Sequence, residues 1–375
     1  MKKRHVLLSF LLVAAMCLLS ACGQGAAGSK SDASTLVYAS GDYTSINPAL
    51  YEHGEINSLI FSGLTAHDAD NKVVPALAET WEYDKEHYTY TFHLRKDVKW
   101  HDGQPFTASD VVFTLEAILN PENESEIASN YEDIVSMAAV DEHTFTLTLS
   151  APNVAMLDYL TIGILPRHLL EGKNLITDSF NQNPVGTGPF KFVSRTAQES
   201  VVLERFDDYW GEKPDLTKVT YKIIENADSI LLSLQSGAVD VFAHLTTNQI
   251  QQLGDGFHVE EGTMNLVQAL YLNNAEKPFD DVRVRQALCY AIDRQQILDL
   301  AFDGYGTLLG SSMYPAFSKY FDDELTNYYT YNTEKAKELL TEAGYPNGFD
   351  MTITVPSNYQ SHMDTAQVIV EQLKA

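Results

Sequence analysis

The chain is short of basic residues, almost free of cysteine, and lacks the signatures that carry most enzyme chemistry. Lys and Arg number 25 against 51 Asp and Glu, a formal charge of −26. So acidic a chain does not bind nucleic acid through counterion release from phosphates, and anionic lipid surfaces disfavour it. No Gly-x-Ser-x-Gly elbow, His-Glu-x-x-His helix, Walker A loop or dinucleotide fingerprint occurs. The 11 histidines are scattered. His93, His101 and His143 fall in strand or loop patterns rather than at metal-ligand spacing, so no metal and no cofactor is expected. No repeat at a period of 20 to 50 residues appears, which excludes a solenoid.

The three cysteines are Cys17, Cys22 and Cys289. Lys2, Lys3 and Arg4 precede an apolar run from Val6 to Leu19 that ends in Leu-Ser-Ala-Cys. A basic head, a short apolar middle and small residues before a cleavage point make a secretory signal, expected over residues 1–21. Cys22 follows two small residues in a sequence that resembles the bacterial lipobox, in which the cysteine is diacylated and becomes the first residue. Two acyl chains give durable anchoring where one is marginal. Cys17 would leave with the signal and Cys22 would carry lipid, so no intrachain disulfide is expected. Residues 22–34, rich in Gly, Ala and Ser, read as a flexible tether. The expected location is extracytoplasmic, anchored to the cell membrane.

About 340 residues follow the tether, more than one core usually holds, so two or more lobes are expected. Strands and helices alternate. Tyr88 to Arg95 and His143 to Leu149 show period-two alternation of apolar residues with Thr and His. Further strands are expected at Leu36–Ala39, Val201–Phe206, Val219–Ile224 and Met351–Val355. Thr107-Ala-Ser-Asp110 is a capping box that opens a helix through Leu119. A second helix is expected after Asp280-Asp281, its stripe running from Val284 to Leu298, and a third from Thr333 to Gly344. Met363, Ala366, Val370 and Leu373 form a last helical stripe. Gly186-Thr-Gly-Pro-Phe190 has no lysine and no following helix, and reads as a tight turn leading into a strand rather than a phosphate loop. Twenty tyrosines could supply a pocket with apolar area and polar tips.

Several of these segments, in order, resemble the bacterial extracellular solute-binding proteins of family 5. They are Ile60-Phe-Ser-Gly-Leu64, Pro75 to Trp81, Tyr90 to Gly103, Phe106 to Val111, Gly186 to Phe190, Tyr209-Trp-Gly211, Ser236 to Asp240, Phe279 to Leu288 and Ala343 to Pro346. The resemblance implies an α/β, two-lobed periplasmic-binding-protein-like fold (type II, cluster C) with an extra inserted α+β domain. Lobe I would comprise residues 35–62 and 184–262, the inserted domain 63–183, and lobe II 263–375, incomplete at the carboxyl end. It further implies a non-enzymatic, monomeric protein that captures peptides and delivers them to an ABC permease with cytoplasmic ATPases. Oligosaccharides or nickel complexes are the nearest alternative solutes. A surface hydrolase using Glu52 with a distant carboxylate, or a peptide-signalling receptor, are readings of a different class. Matching to the family places ligand contacts at Tyr51, Glu52, His53 and Gly54, at Ser129, Asn130 and Tyr131, and at Ala243 and His244.

Overall fold

The computed structural model describes residues 33–374 apart from 52–53, 225, 244, 246, 263–265, 318–319 and 356–359. The expected signal segment and Cys22 lie outside the described residues. The chain divides into two compact units, one ending at Gln249 and the other beginning at Ile250.

The first unit is built on two four-stranded sheets. One has the order β1-β10-β9-β8, from β1 (Thr35–Ser40), β8 (Phe190–Thr196), β9 (Ser200–Arg205) and β10 (Lys218–Ile223). β1 and β10 run parallel, with Tyr38 opposite Tyr221. The second has the order β4-β5-β7-β6, from β4 (Ala78–Asp84), β5 (Thr89–Leu94), β6 (Ile134–Asp141) and β7 (Thr144–Leu149), all antiparallel. A two-stranded ribbon of β2 (Thr65–His67) and β3 (Val73–Pro75) precedes it.

Side-chain alternation explains the second sheet. Along β5, Tyr90, Phe92 and Leu94 are buried while Thr89, Thr91 and His93 face outward. Phe92 lies opposite Phe145 with ring centroids 5.9 Å apart, and Tyr83 opposite Tyr90 at 4.4 Å. On the other face the Thr89 and Thr148 hydroxyls bond at 2.9 Å. Cross-strand pairs of this kind set register as well as adding stability. Helix α1 (Gly54–Ile60) and helix α2 (Ala108–Leu119) complete the core. The expected capping box at the start of α2 is present, with Asp110 accepting from the Thr107 N–H at 2.9 Å. A single apolar cluster runs from Ile46 through Trp100, Phe145 and Leu165 to Tyr221, so both sheets share one core.

The Gly186-Thr-Gly188 turn sits where this core is tightest. A Cβ on Gly186 would lie 1.9 Å from the Ile60 carbonyl oxygen, and one on Gly188 2.5 Å from that of Leu59. Only glycine fits so close a backbone approach. His101 clasps the turn: its Nε2 is 3.0 Å from the Gly188 oxygen and its Nδ1 accepts from the Gly186 N–H at 3.1 Å. Its ring stands edge-on to Phe206 at 4.9 Å. Burial pushes its pKa down to about 4, so the ring is neutral.

In the second unit, α4 (Val282–Ala291) and α6 (Thr333–Glu342) pack through Ala287, Ala336 and Leu339, while α5 (Arg294–Ala301) lies against α7 (Gln360–Leu373). Helix α3 (Ala227–Gln235) belongs to the first unit. Two expectations are corrected here. The helix after Asp281 does not continue to Leu298: it ends at Ile292, whose backbone is extended, and Asp293 caps α5 by accepting from the Gln296 N–H at 3.1 Å. A good cap residue inside an apolar stripe won over the periodicity. Met351–Val355 forms no strand, because no segment pairs with it among the described residues, and a strand without a ladder partner leaves its backbone unsatisfied.

Candidate functional site

The site is built at the end of the first sheet. β1 is flanked by β10 on one side and by the 240–241 backbone on the other: Ala39 N–H donates to the Val241 oxygen at 3.0 Å, and Asp240 N–H to that of Val37 at 2.8 Å. This sandwiching fixes Tyr38 beside its registered partner Tyr221, ring centroids 5.4 Å apart. Tyr43 meets Tyr221 edge-on at 5.5 Å.

The segment carrying Tyr43 is anchored by a two-pronged ion pair. Arg195 Nη2 lies 2.8 Å from each Asp42 carboxylate oxygen and its Nε 3.2 Å from one of them, and both side chains are largely buried. Such fork-on-carboxylate geometry is directional as well as strong.

Glu55, exposed in the first turn of α1, lies beside the tyrosines. Tyr43 donates to its Oε2 at 3.4 Å, and the Glu55 charge also acts on the Tyr38 phenol. Burial first, then the Glu55 charge, pushes the Tyr38 pKa up to about 12, and burial raises those of Tyr43 and Tyr221 as well. All three phenols are therefore protonated donors at any physiological pH.

Of the residues named from sequence, Gly54 opens α1 directly before Glu55, and Ala243 follows two residues after Val241, which bridges to Tyr38. Tyr51 is half-buried on a turn set by Asn47, whose carbonyl accepts from the Tyr51 N–H at 3.0 Å and whose amide bonds Asn181 at 3.0 Å. The same turn is tied to the segment bearing Ser129 and Asn130. Ser125 Oγ donates to the Ala49 oxygen at 2.6 Å and Glu126 N–H to that of Leu50 at 3.2 Å. Ser129 is exposed and Asn130 half-buried. Tyr131 departs from its expected place: it is 1 % exposed, and its hydroxyl is spent on the Tyr159 oxygen at 2.6 Å. Glu52, His53 and His244 lie outside the described residues. Sequence reasoning missed Tyr38, Tyr43, Tyr221 and Glu55, although tyrosine abundance was the available signal.

Among the described residues no helix is long and apolar enough to cross a membrane. Taken with its structural neighbours, the fold is that of the two-lobed, α/β periplasmic binding proteins. It aligns with NikZ of Campylobacter jejuni, solved in complex with Ni(L-His), at a TM-score of 0.80 and 33 % identity over 91 % of this chain and 71 % of that one. It aligns with the oligopeptide-binding protein AppA of Bacillus subtilis, solved with a nonapeptide, at a TM-score of 0.73 and 29 % identity over 91 % and 72 %. The dipeptide-binding protein of Escherichia coli K12 is 31 % identical over 92 % of this chain and 69 % of its own length. The model of the bacterial extracellular solute-binding proteins, family 5 Middle, matches residues 72–375, and the chain belongs to that family.

Proposed function

We propose that the protein captures peptides and hands them to the permease of an ABC importer, without chemistry of its own. The observation that carries this reading is the Tyr38, Tyr43, Tyr221 and Glu55 cluster set beside the 240–241 backbone. It offers polar tips on apolar rings, suited to ligands that present both main-chain polarity and side-chain area. Two aligned relatives with peptide ligands in their names support the solute class. In this reading Cys22 bears the lipid that holds the monomer at the outer face of the cell membrane. Residues 35–62 and 184–262 form lobe I, 63–183 the inserted domain, and 263–375 belong to lobe II. Tyr51, Glu52, His53, Gly54, Ser129, Asn130, Ala243 and His244 lie near the ligand.

A thermal-shift screen against di- to hexapeptides, oligosaccharides and nickel complexes tests it. A ligand at 100 times its Kd stabilises by about 2.7 kcal/mol. Stabilisation by peptides is the expected result. Silence from peptides with a response to a nickel complex transfers the proposal to the solute that NikZ was solved with.

A further inference from the structure

We propose that the outer edge of β6 is a docking strand for an extended segment of another protein, apolar along its middle and basic at both ends. The inference is independent of which solute the tyrosine cluster takes.

The two four-stranded sheets of the first unit present four edges, and three are closed to pairing. β1 is covered by the 240–241 backbone. β8 carries Lys191 and Arg195, and β4 carries Glu79, Glu82 and Asp84, charges of the kind that keep edge strands from pairing. β6 differs. It bonds β7 on one side, and among the described residues nothing bonds the backbone of its other side. From Ile134 to Val140 it holds no charge and no proline.

Bulges are a second way to blunt an edge. The β6–β7 register shifts near both ends of the strand, but the residues left out of the pairing are Val135 and Val140, 64 % and 63 % exposed. Val154, 91 % exposed, stands at the same end as Val135, because its neighbour Asn153 donates to Asp133 at 3.0 Å. A strand added here would cover this apolar area and satisfy the unpaired backbone row together.

The charge around the edge selects the occupant. From Trp100 to Pro166 there is no lysine or arginine. Glu132 and Asp133 lie at one end of β6 and Asp141 and Glu142 at the other, about 30 Å away at 3.3 Å per residue. A second copy paired antiparallel would set acidic end against acidic end, which disfavours it. A segment with lysine or arginine at both ends meets opposite charge at each.

Fluorescence anisotropy of the full chain and its Ala138→Lys variant tests this. The probes are labelled N-acetyl-Lys-Lys-Val-Thr-Val-Thr-Val-Lys-Lys-amide, its counterpart with Glu in place of every Lys, and the lysine peptide N-methylated at alternate residues to remove its edge donors. Ala138 is exposed opposite Thr146, so a lysine there adds the charge that β6 lacks without entering the core. Wild type is expected to bind the lysine peptide and to bind the other two at least about tenfold more weakly. Ala138→Lys should lose at least about tenfold for the lysine peptide while keeping the wild-type urea midpoint. If that variant does not fold, the N-methylated peptide decides alone. No binding of the lysine peptide up to about 1 mM overturns the inference. Equal binding of the N-methylated or the glutamate peptide, or equal binding by a folded Ala138→Lys, also overturns it. Sedimentation that shows a wild-type dimer abolished by Ala138→Lys makes a second copy the occupant and overturns it as well.

Discussion

Acid should loosen the first unit through His101 alone by an amount that can be worked out. The ring is neutral in the folded protein, donating to Gly188 and accepting from Gly186, and burial holds its pKa near 4 against an ordinary 6.5. A depressed histidine pKa means that the unfolded chain takes up the proton first, so stability is full above pH 6.5 and declines as pH falls toward 4. At pH 4.5 the loss reaches about 2.5 kcal/mol, and it approaches about 3 kcal/mol below pH 4. His101→Gln retains a donor and an acceptor but cannot titrate. At pH 7.5 the variant should be less stable than wild type by about 1 to 2 kcal/mol for imperfect replacement of the two bonds. At pH 4.5 that gap should close or reverse. Urea unfolding followed by tryptophan fluorescence reads this directly, because Trp81, Trp100 and Trp210 all lie in the first unit. Parallel pH profiles for the two proteins would refute the reasoning, as would an NMR titration of His101 with an ordinary midpoint.

Four further substitutions have outcomes set by the packing. Arg195→Lys should destabilise by about 2 kcal/mol, since an ammonium cannot make the forked contact with Asp42. Weaker affinity for the ligand identified in the thermal-shift screen should accompany it, because the Asp42 segment carries Tyr43. Gly186→Ala should give insoluble or severely unstable protein, beyond about 4 kcal/mol, because backbone rather than a flexible side chain blocks the new methyl. Gly41→Ala, where nothing lies within 4 Å of the added atom, should stay within about 0.5 kcal/mol of wild type in the same urea assay. Tyr131→Phe should cost about 1 kcal/mol by removing the hydroxyl bond to Tyr159, and should leave ligand affinity unchanged because the ring is enclosed.

Local chemistry was the legible part of the sequence. The period-two runs became β5 and β7, the Thr107 box capped α2, and Gly344 ended α6 with a left-handed backbone. Each of those signals is complete within a few residues. The failures needed information from elsewhere in the chain. Met351–Val355 has strand composition without a partner, and the stripe through Ile292 concealed a cap at Asp293. The candidate site was legible only at its margins. Gly54 and Ala243 adjoin the cluster, but Tyr38, Tyr43, Glu55 and Tyr221 meet only because β1 pairs with β10, and no local pattern announces a pairing across so much intervening chain.

That pairing also sets an order of events. The Thr217 hydroxyl bonds the Ser34 backbone across 183 residues of sequence, and every rung of the β1–β10 ladder closes a loop of similar size. Closing so long a loop is slow, even though the entropy cost grows only by about 0.6 kcal/mol per doubling of length. In a chain made amino end first, β1 is the earliest strand of its sheet to appear and waits longest for its neighbour. An unfinished chain that stops short of Tyr221 can hold Tyr38, Tyr43 and Glu55 but not the ring that packs behind them. The tyrosine cluster thus stays incomplete in the growing chain until β10 has been made.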